Sequence, residues 1–363
     1  MSTMEYRQLG TSDLMVSALS LGCRGFGNKS LETCETVVKK ALDFGVNFFD
    51  TADVYTDGKS EEFLAAGLAG VPRDSYVLAT KGGMERPAPG KETQNGDPSF
   101  LRRSLEASLR RLRTDHIDVY QLHNPDPSVP LSYTAEAFTR FMDEGKIRHA
   151  GVSNIVPHEL AEWLRLVPNT VSIQLSYSLL DRSPVEAVFP PSHGNKVSLI
   201  PWAPLFAGFL VTPPPDDPEK RDGFFSLLPT EFVENAYEVC SLVREMSLSY
   251  GVGPSSISLA YVLNRPEVAT IPVGTTHPAH LRENLSALEI RLSSEDLEKL
   301  EKAASLVPPP EIFATMEVSK TLDGGRVAVL PIGVKVRVPE KVSPGDLVEI
   351  NLWNGKARTN SNP

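Results

Sequence analysis

Asp50, Tyr55, Lys81 and His123 carry side chains suited to one piece of proton chemistry. They close three apolar runs, in VNFFDTADVY (46–55), SYVLATK (75–81) and IDVYQLH (117–123). A free phenol titrates at about 10, too high for efficient proton exchange near neutrality. A neighbouring ammonium favours the phenolate and lowers that pKa, and a carboxylate keeps the ammonium in place and charged. The set therefore predicts Tyr55 donating to a carbonyl oxygen, Lys81 and Asp50 tuning it, and His123 giving the same oxygen a second hydrogen bond.

Residues this far apart meet only if the elements before them converge. Eight short apolar runs recur, at 17–22, 46–50, 76–81, 117–123, 148–153, 171–175, 197–202 and 269–273. Helix-like stretches separate them at 32–44, 59–69, 99–113, 132–145, 157–166, 183–190 and 231–264, the last split near Gly251–Pro254, and a final helix is read at 295–305. Runs without polar alternation, separated by helices, predict a parallel sheet buried on both faces. Eight such units predict an α/β fold closed as a (β/α)₈ TIM barrel over 1–307, whose strand C-termini share one mouth. A doubly wound sheet is the rival, but no G-x-G-x-x-G follows an early strand. An N-terminal hairpin turning at Gly10–Asp13 precedes the barrel.

Residues 311–363 differ in kind. GGRVAVLPIGVKVRV, SPGD, LVEINLW and NGK read as strands joined by turns, a β-rich C-terminal extension. Its expected role is either an appendage packed on the barrel or an arm for oligomer contact. A net charge of -10 over 363 residues excludes the basic footprint of a nucleic-acid-binding protein. Cys23, Cys34 and Cys240 have neither disulfide nor metal-ligand spacing, so no metal is expected. With no signal segment and no apolar run of membrane length, the chain reads as cytoplasmic and not membrane-bound.

FDTADVY followed by SEEFL, LATK, LRRLRTDHIDVYQLHNPDP, GKIRHAGVSN and IQLSYSLLDR resemble signatures of the aldo-keto reductase family from about residue 5 to 305. The resemblance implies an oxidoreductase that interconverts an aldehyde or ketone, sugars included, and its alcohol. Hydride is exchanged with NADPH, or alternatively NADH, bound without a Rossmann domain. It also implies Tyr55 as general acid/base, tuned by Lys81 and Asp50, with His123 orienting the carbonyl. Its partner is thus a small carbonyl or alcohol substrate. WAPLFAG and GTTHPAHLRENL are similar to the β-subunits of voltage-gated potassium channels as well, which bind NADP and act mainly as regulators. Those subunits typically have Asn where this chain has His123, so a redox-sensing, channel-regulating role is the second reading.

The resemblance also implies a cofactor site. Ser153, Asn154 and Gln174 would hold the carboxamide, and Trp202 would stack on the nicotinamide. The loop bearing Ala203, Pro204, Leu205 and Gly208 would fold over the pyrophosphate. Gly22, Cys23 and Arg24, with Asp50, would lie near the reacting ring. Gly274, Thr276, His280, Glu283 and Asn284 would face the adenosine end, without the Lys or Arg that many NADP-preferring members carry at the Thr276 position. Pocket walls are expected from 82–98, 203–230 and the tail, with Phe26, Val54 and Tyr177 as apolar candidates. The segment 212–223 is expected to be a mobile loop or lid, or a plain connector.

Overall fold

The protein was analysed as a computed structural model describing residues 4–88, 91–189, 197–309, 313–320, 326–329, 335–338, 342–351 and 357–359. Eight strands form one all-parallel sheet: β1 (Leu19–Gly22), β2 (Phe48–Asp50), β3 (Val77–Gly82), β4 (Ile117–Leu122), β5 (Ile147–Ser153), β6 (Thr170–Ser176), β7 (Ser198–Trp202) and β8 (Ile271–Gly274). Spatially they follow chain order from β1 to β7, with β8 beside β1. The sheet closes through a single parallel bridge, Leu199 with Val268. Leu199 N donates to Glu267 O at 2.8 Å and Ala269 N to Leu199 O at 3.1 Å. Every residue of β3, β4 and β6 is buried, which is why these strands read as unbroken runs rather than alternating ones.

Helices α1 (Leu31–Asp43), α2 (Lys59–Gly67), α3 (Pro98–Leu112), α4 (Leu131–Asp143), α5 (Pro157–Leu166) and α6 (Ser183–Val188) follow β1 to β6 in turn. Local chemistry sets their ends. Asp97 accepts hydrogen bonds from Ser99 N and Phe100 N, and Pro98 fills the first turn of α3, where no N–H is needed. The stretch at 231–264 is two helices as expected, α7 (Thr230–Tyr250) and α8 (Pro254–Leu263), broken where Gly251 takes φ +68°. Beyond β8 come α9 (Pro278–Leu285) and α10 (Ser294–Ser305), the latter capped by Ser293.

The N-terminal hairpin, Tyr6–Gln8 with Met15–Ser17, lies at the strand starts. Its Leu9, Leu14 and Val16 form one cluster with Phe48, Val77, Val119, Val171, Ile200 and Ala269, which face inward from the barrel. It is a plug for the end opposite the mouth.

The extension is a five-stranded antiparallel sheet in the order Lys335–Arg337, Arg326–Val329, Phe313–Lys320, Leu347–Asn351, Ala357–Thr359. The SPGD turn holds Gly345 at φ +91°. The expected turn at NGK (354–356) lies outside the described residues. A second two-stranded element, Met84–Ala88 with Lys91–Gln94, occupies the β3–α3 loop, within the 82–98 stretch expected to form a pocket wall.

Candidate active site

The base of the mouth is a buried ion pair. Asp50 ends β2 and Lys81 lies one residue from the end of β3. Lys81 Nζ donates to Asp50 Oδ2 at 2.7 Å and to Thr51 O at 2.8 Å, with no part of its side chain exposed. Asp50 Oδ1 accepts from Gln121 Nε2 and Gln174 Nε2, each at 3.2 Å. Burial opposes the ammonium's charge, but Asp50 and Tyr55 outweigh it and raise the Lys81 pKa above the ordinary amine value. Lys81 is thus a fixed cation.

Above it lie two rings. Lys81 Nζ is 5.3 Å from the centre of the Tyr55 ring. The His123 ring meets Tyr55 edge-on, centroids 5.8 Å apart at 80°. The expected lowering of the Tyr55 pKa is reversed: burial pushes it above the usual phenol value, and the pull of Lys81 offsets only part of that. Desolvation in the narrow mouth, with Asp50 adding to it, is the physical reason. His123 moves the other way. Burial, then Lys81 and Arg24, hold its imidazole well below the ordinary value, so it is neutral, and its Nδ1 is buried without a hydrogen-bond partner among the described residues. The site therefore brings together a neutral phenol, a neutral imidazole and a buried cation. That arrangement can donate hydrogen bonds to an oxygen and stabilise negative charge developing there.

Backbone strain gathers around these groups. Thr56 and Asp57, just after Tyr55, have φ of +49° and +56°; Asn154, Ala203, Phe206 and Ala207 lie between +49° and +55°. Non-glycine residues held this way cost roughly 1–3 kcal/mol each and persist where their surroundings over-determine them. Asn154 is such a place. Its Nδ2 donates to His123 O at 3.1 Å, its Oδ1 accepts from Trp202 Nε1 at 3.0 Å, and its N–H donates to Gln174 O at 3.0 Å. Ser153 Oγ donates to Gln174 O at 3.0 Å. Trp202 thereby stands fixed yet 38% exposed at the end of β7, a flat apolar face open to the mouth.

Behind Trp202, Phe206 stacks on Phe232 and meets Phe224 edge-on, while Phe209 packs against Phe225. The 212–223 segment makes internal contacts of its own. Arg221, 7% exposed, donates to the carbonyls of Pro215, Asp216 and Leu228 and gives the loop a core of its own.

The family model of the aldo/keto reductase family matches residues 18–305. The chain belongs to the aldo/keto reductase family. It is 34% identical over 307 residues to an uncharacterized oxidoreductase of Bacillus subtilis, covering 82% of this chain and 96% of that protein. A second relative, a probable aldo-keto reductase of Glycine max, is 30% identical over 312 residues, 82% of this chain and 88% of that one. Among solved structures, an aldo-keto reductase from Bacillus halodurans in its holo form superposes with a TM-score of 0.69 at 33% identity, covering 83% of this chain and 96% of that one. The chain is thus an oxidoreductase, and among its described residues no helix is long and apolar enough to cross a membrane.

Gly22, Cys23, Arg24 and Gly274 lie at the C-terminal ends of β1 and β8, on the same side of the barrel as Asp50. Cys23 is buried, its N–H donating to Asp50 O at 2.8 Å, and burial pushes its thiol well above the ordinary value; Arg24 beside it is exposed. Gly22 and Gly274 are paired across β1 and β8, and nothing lies within 4 Å of where a Cβ on Gly274 or Gly208 would stand. Thr276 and exposed His280 flank the start of α9, while Arg282 lies over the Phe44 ring. Glu283 accepts from Ser255 Oγ at 3.0 Å, and Asn284 is buried. Phe26 and Tyr177 are core residues, and only Val54 of the three expected wall residues packs at Tyr55.

Two contributors escaped sequence reasoning. Gln121 sits inside an apolar run, where a buried amide was the available signal. Met84 packs with Ala52 and Val54 against Tyr55 from the β3–α3 hairpin, and no local pattern announces that hairpin.

Proposed function

We propose that this chain interconverts an aldehyde or ketone, sugars included, and its alcohol by hydride transfer with NADPH, NADH being the alternative donor. The observation that carries this reading is the buried Asp50–Lys81 pair beneath the facing rings of Tyr55 and His123. The residues present fit a nicotinamide cofactor. Trp202 offers an exposed ring, the hydroxyl and amide groups of Ser153 and Asn154 stand beside it, and the strained 203–207 loop and the open glycines leave room for a phosphate chain. When bound, such a cofactor supplies or accepts the hydride.

The chain's own residues do the rest. Tyr55 donates its phenolic proton to the carbonyl oxygen in reduction and takes it back in oxidation. Lys81, held cationic by Asp50, stabilises the phenolate as it forms, which matters more here because burial disfavours that anion. His123, neutral, donates a second hydrogen bond and orients the carbonyl. A His with that task favours a working catalyst over the channel-regulating alternative. The first cofactor test is quenching of tryptophan fluorescence on titration with NADPH and NADH, Trp202 being the reporter. Tyr55→Phe is expected to keep that binding within about twofold and to lose roughly 10²–10⁴-fold in turnover, the usual weight of one acid/base group. Undiminished carbonyl reduction by the variant would sink the assignment of Tyr55.

A further inference from the structure

The family match ends at residue 305, and the C-terminal sheet lies beyond it. One residue of that sheet is bonded to the mouth at several points. Lys335 donates its N–H to Gln94 Oε1 at 2.7 Å and accepts at its carbonyl from Gln94 Nε2 at 2.9 Å. Its Nζ reaches Gln94 O at 3.0 Å, Ser128 Oγ at 2.8 Å and both oxygens of Asp126 at 3.1 Å. Gln94 and Asp126 are 5% and 7% exposed and the Lys335 side chain is 23% exposed, so the contact is partly desolvated rather than a surface pairing.

The two partners belong to the two loops that frame the catalytic rings. Gln94 ends the hairpin whose Met84 packs on Tyr55 and whose Arg86 pairs with Asp57 at 2.7 Å. Asp126 lies three residues after His123, and Asn124 Nδ2 bonds Met84 Sδ at 3.3 Å. Lys335 therefore bridges the β3–α3 and β4–α4 loops where each carries a mouth residue.

We propose that the C-terminal sheet is a specificity module latched to the carbonyl pocket through Lys335, which fixes the spacing of the 84–94 hairpin and the 124–128 loop. The latch selects carbonyl substrates whose bulk extends past Tyr55 and His123 onto those loops, and leaves the smallest aldehydes indifferent. Lys335 is a positioning residue: it acts through Gln94 and Asp126 and touches no reacting atom. The proposal rests on the carbonyl-reductase reading of the mouth.

The test uses the full chain as wild type, Lys335→Met and Lys335→Arg. Methionine keeps the stem and removes the charge, and Asp126 retains hydrogen bonds from Gly96 N at 3.2 Å and Ser128 N at 2.9 Å, so its loop keeps its form. Reduction of propanal and of 4-nitrobenzaldehyde is compared. Lys335→Met is expected to raise KM for the aromatic aldehyde about fivefold or more with kcat within about twofold, to leave propanal kinetics within about twofold, and to be partly rescued by Lys335→Arg. Equal losses on both aldehydes, or no change on either, would overturn the proposal. The latch is also read without turnover. Amide hydrogen exchange across 84–95 should speed up in Lys335→Met, and unchanged protection there refutes the latch. A wild type inert toward both aldehydes, with that exchange response intact, would refute the reductase reading and not the latch.

Discussion

At the scale of single residues, the mouth separates groups by how each is desolvated. Lys81 and Asp50 pay for burial by pairing, whereas Tyr55 and His123 stay neutral. Asp53 is a third case. It accepts a hydrogen bond from Ser104 Oγ, its Oδ1 is buried without a partner among the described residues, and the nearby Glu61–Arg111 pair contributes charges of both signs. Burial lifts its carboxyl pKa to about 7. The fold therefore binds a proton at Asp53 that the unfolded chain has given up by about pH 4. The associated stability is fully present below that pH, is lost as pH rises towards 7, and stays lost above it. Asp53→Asn, neutral at every pH, should match wild type in thermal melts near pH 4. At pH 8 it should melt several degrees higher, for a gain on the order of 2 kcal/mol once partial exposure is allowed for. A variant less stable at both pH values would mean that Asp53 is held charged.

The elements explain which parts of the site were legible in the sequence. Both faces of each barrel strand are covered, so each reads as a short apolar run, and a polar residue ending such a run is conspicuous. Asp50, Lys81 and His123 stand out for that reason. Gln121 does not, because one amide inside YQL looks like any tolerated core polar group. The 84–94 hairpin is written in ERPAPGKETQ, with no apolar alternation, and is held by Arg86 with Glu92 and Asp57. Its contacts depend on what it docks against, which no local pattern encodes. The 212–223 loop shows the opposite case. Its prolines and charges look mobile, yet Arg221 satisfies three carbonyls from inside it. Arg221→Ala leaves those carbonyls short of a donor, and a loss of about 1–3 kcal/mol follows. Melting temperature should fall accordingly, and limited proteolysis should begin to cut within 212–228. Unchanged resistance to protease would show that the aromatic packing alone holds the loop.

Across the whole molecule, the hairpin plug closes one end, the Tyr55 and His123 rings occupy the other, and the C-terminal sheet is tied to the rim. The barrel wall between is uneven. Five residue pairs join β6 to β7, while among the described residues one bridge, Leu199 with Val268, pairs β7 with the approach to β8. Trp202 stands at the top of one side of that seam and Gly274 at the top of the other. A dinucleotide lying from the indole to the start of α9 would span the thinnest part of the wall. It would then act as a rivet as well as a reagent. Saturation at 100 times Kd should stabilise the fold by about 2.7 kcal/mol through mass action. The gain in hydrogen-exchange protection should be largest along 197–202 and 268–274, beyond the residues the ligand touches. Protection confined to contact residues would mean the seam is already firm. If it is not, losing cofactor in a cell would unzip this barrel from one chosen line, and shortage of the reductant would be felt first as a shortened lifetime of the enzyme.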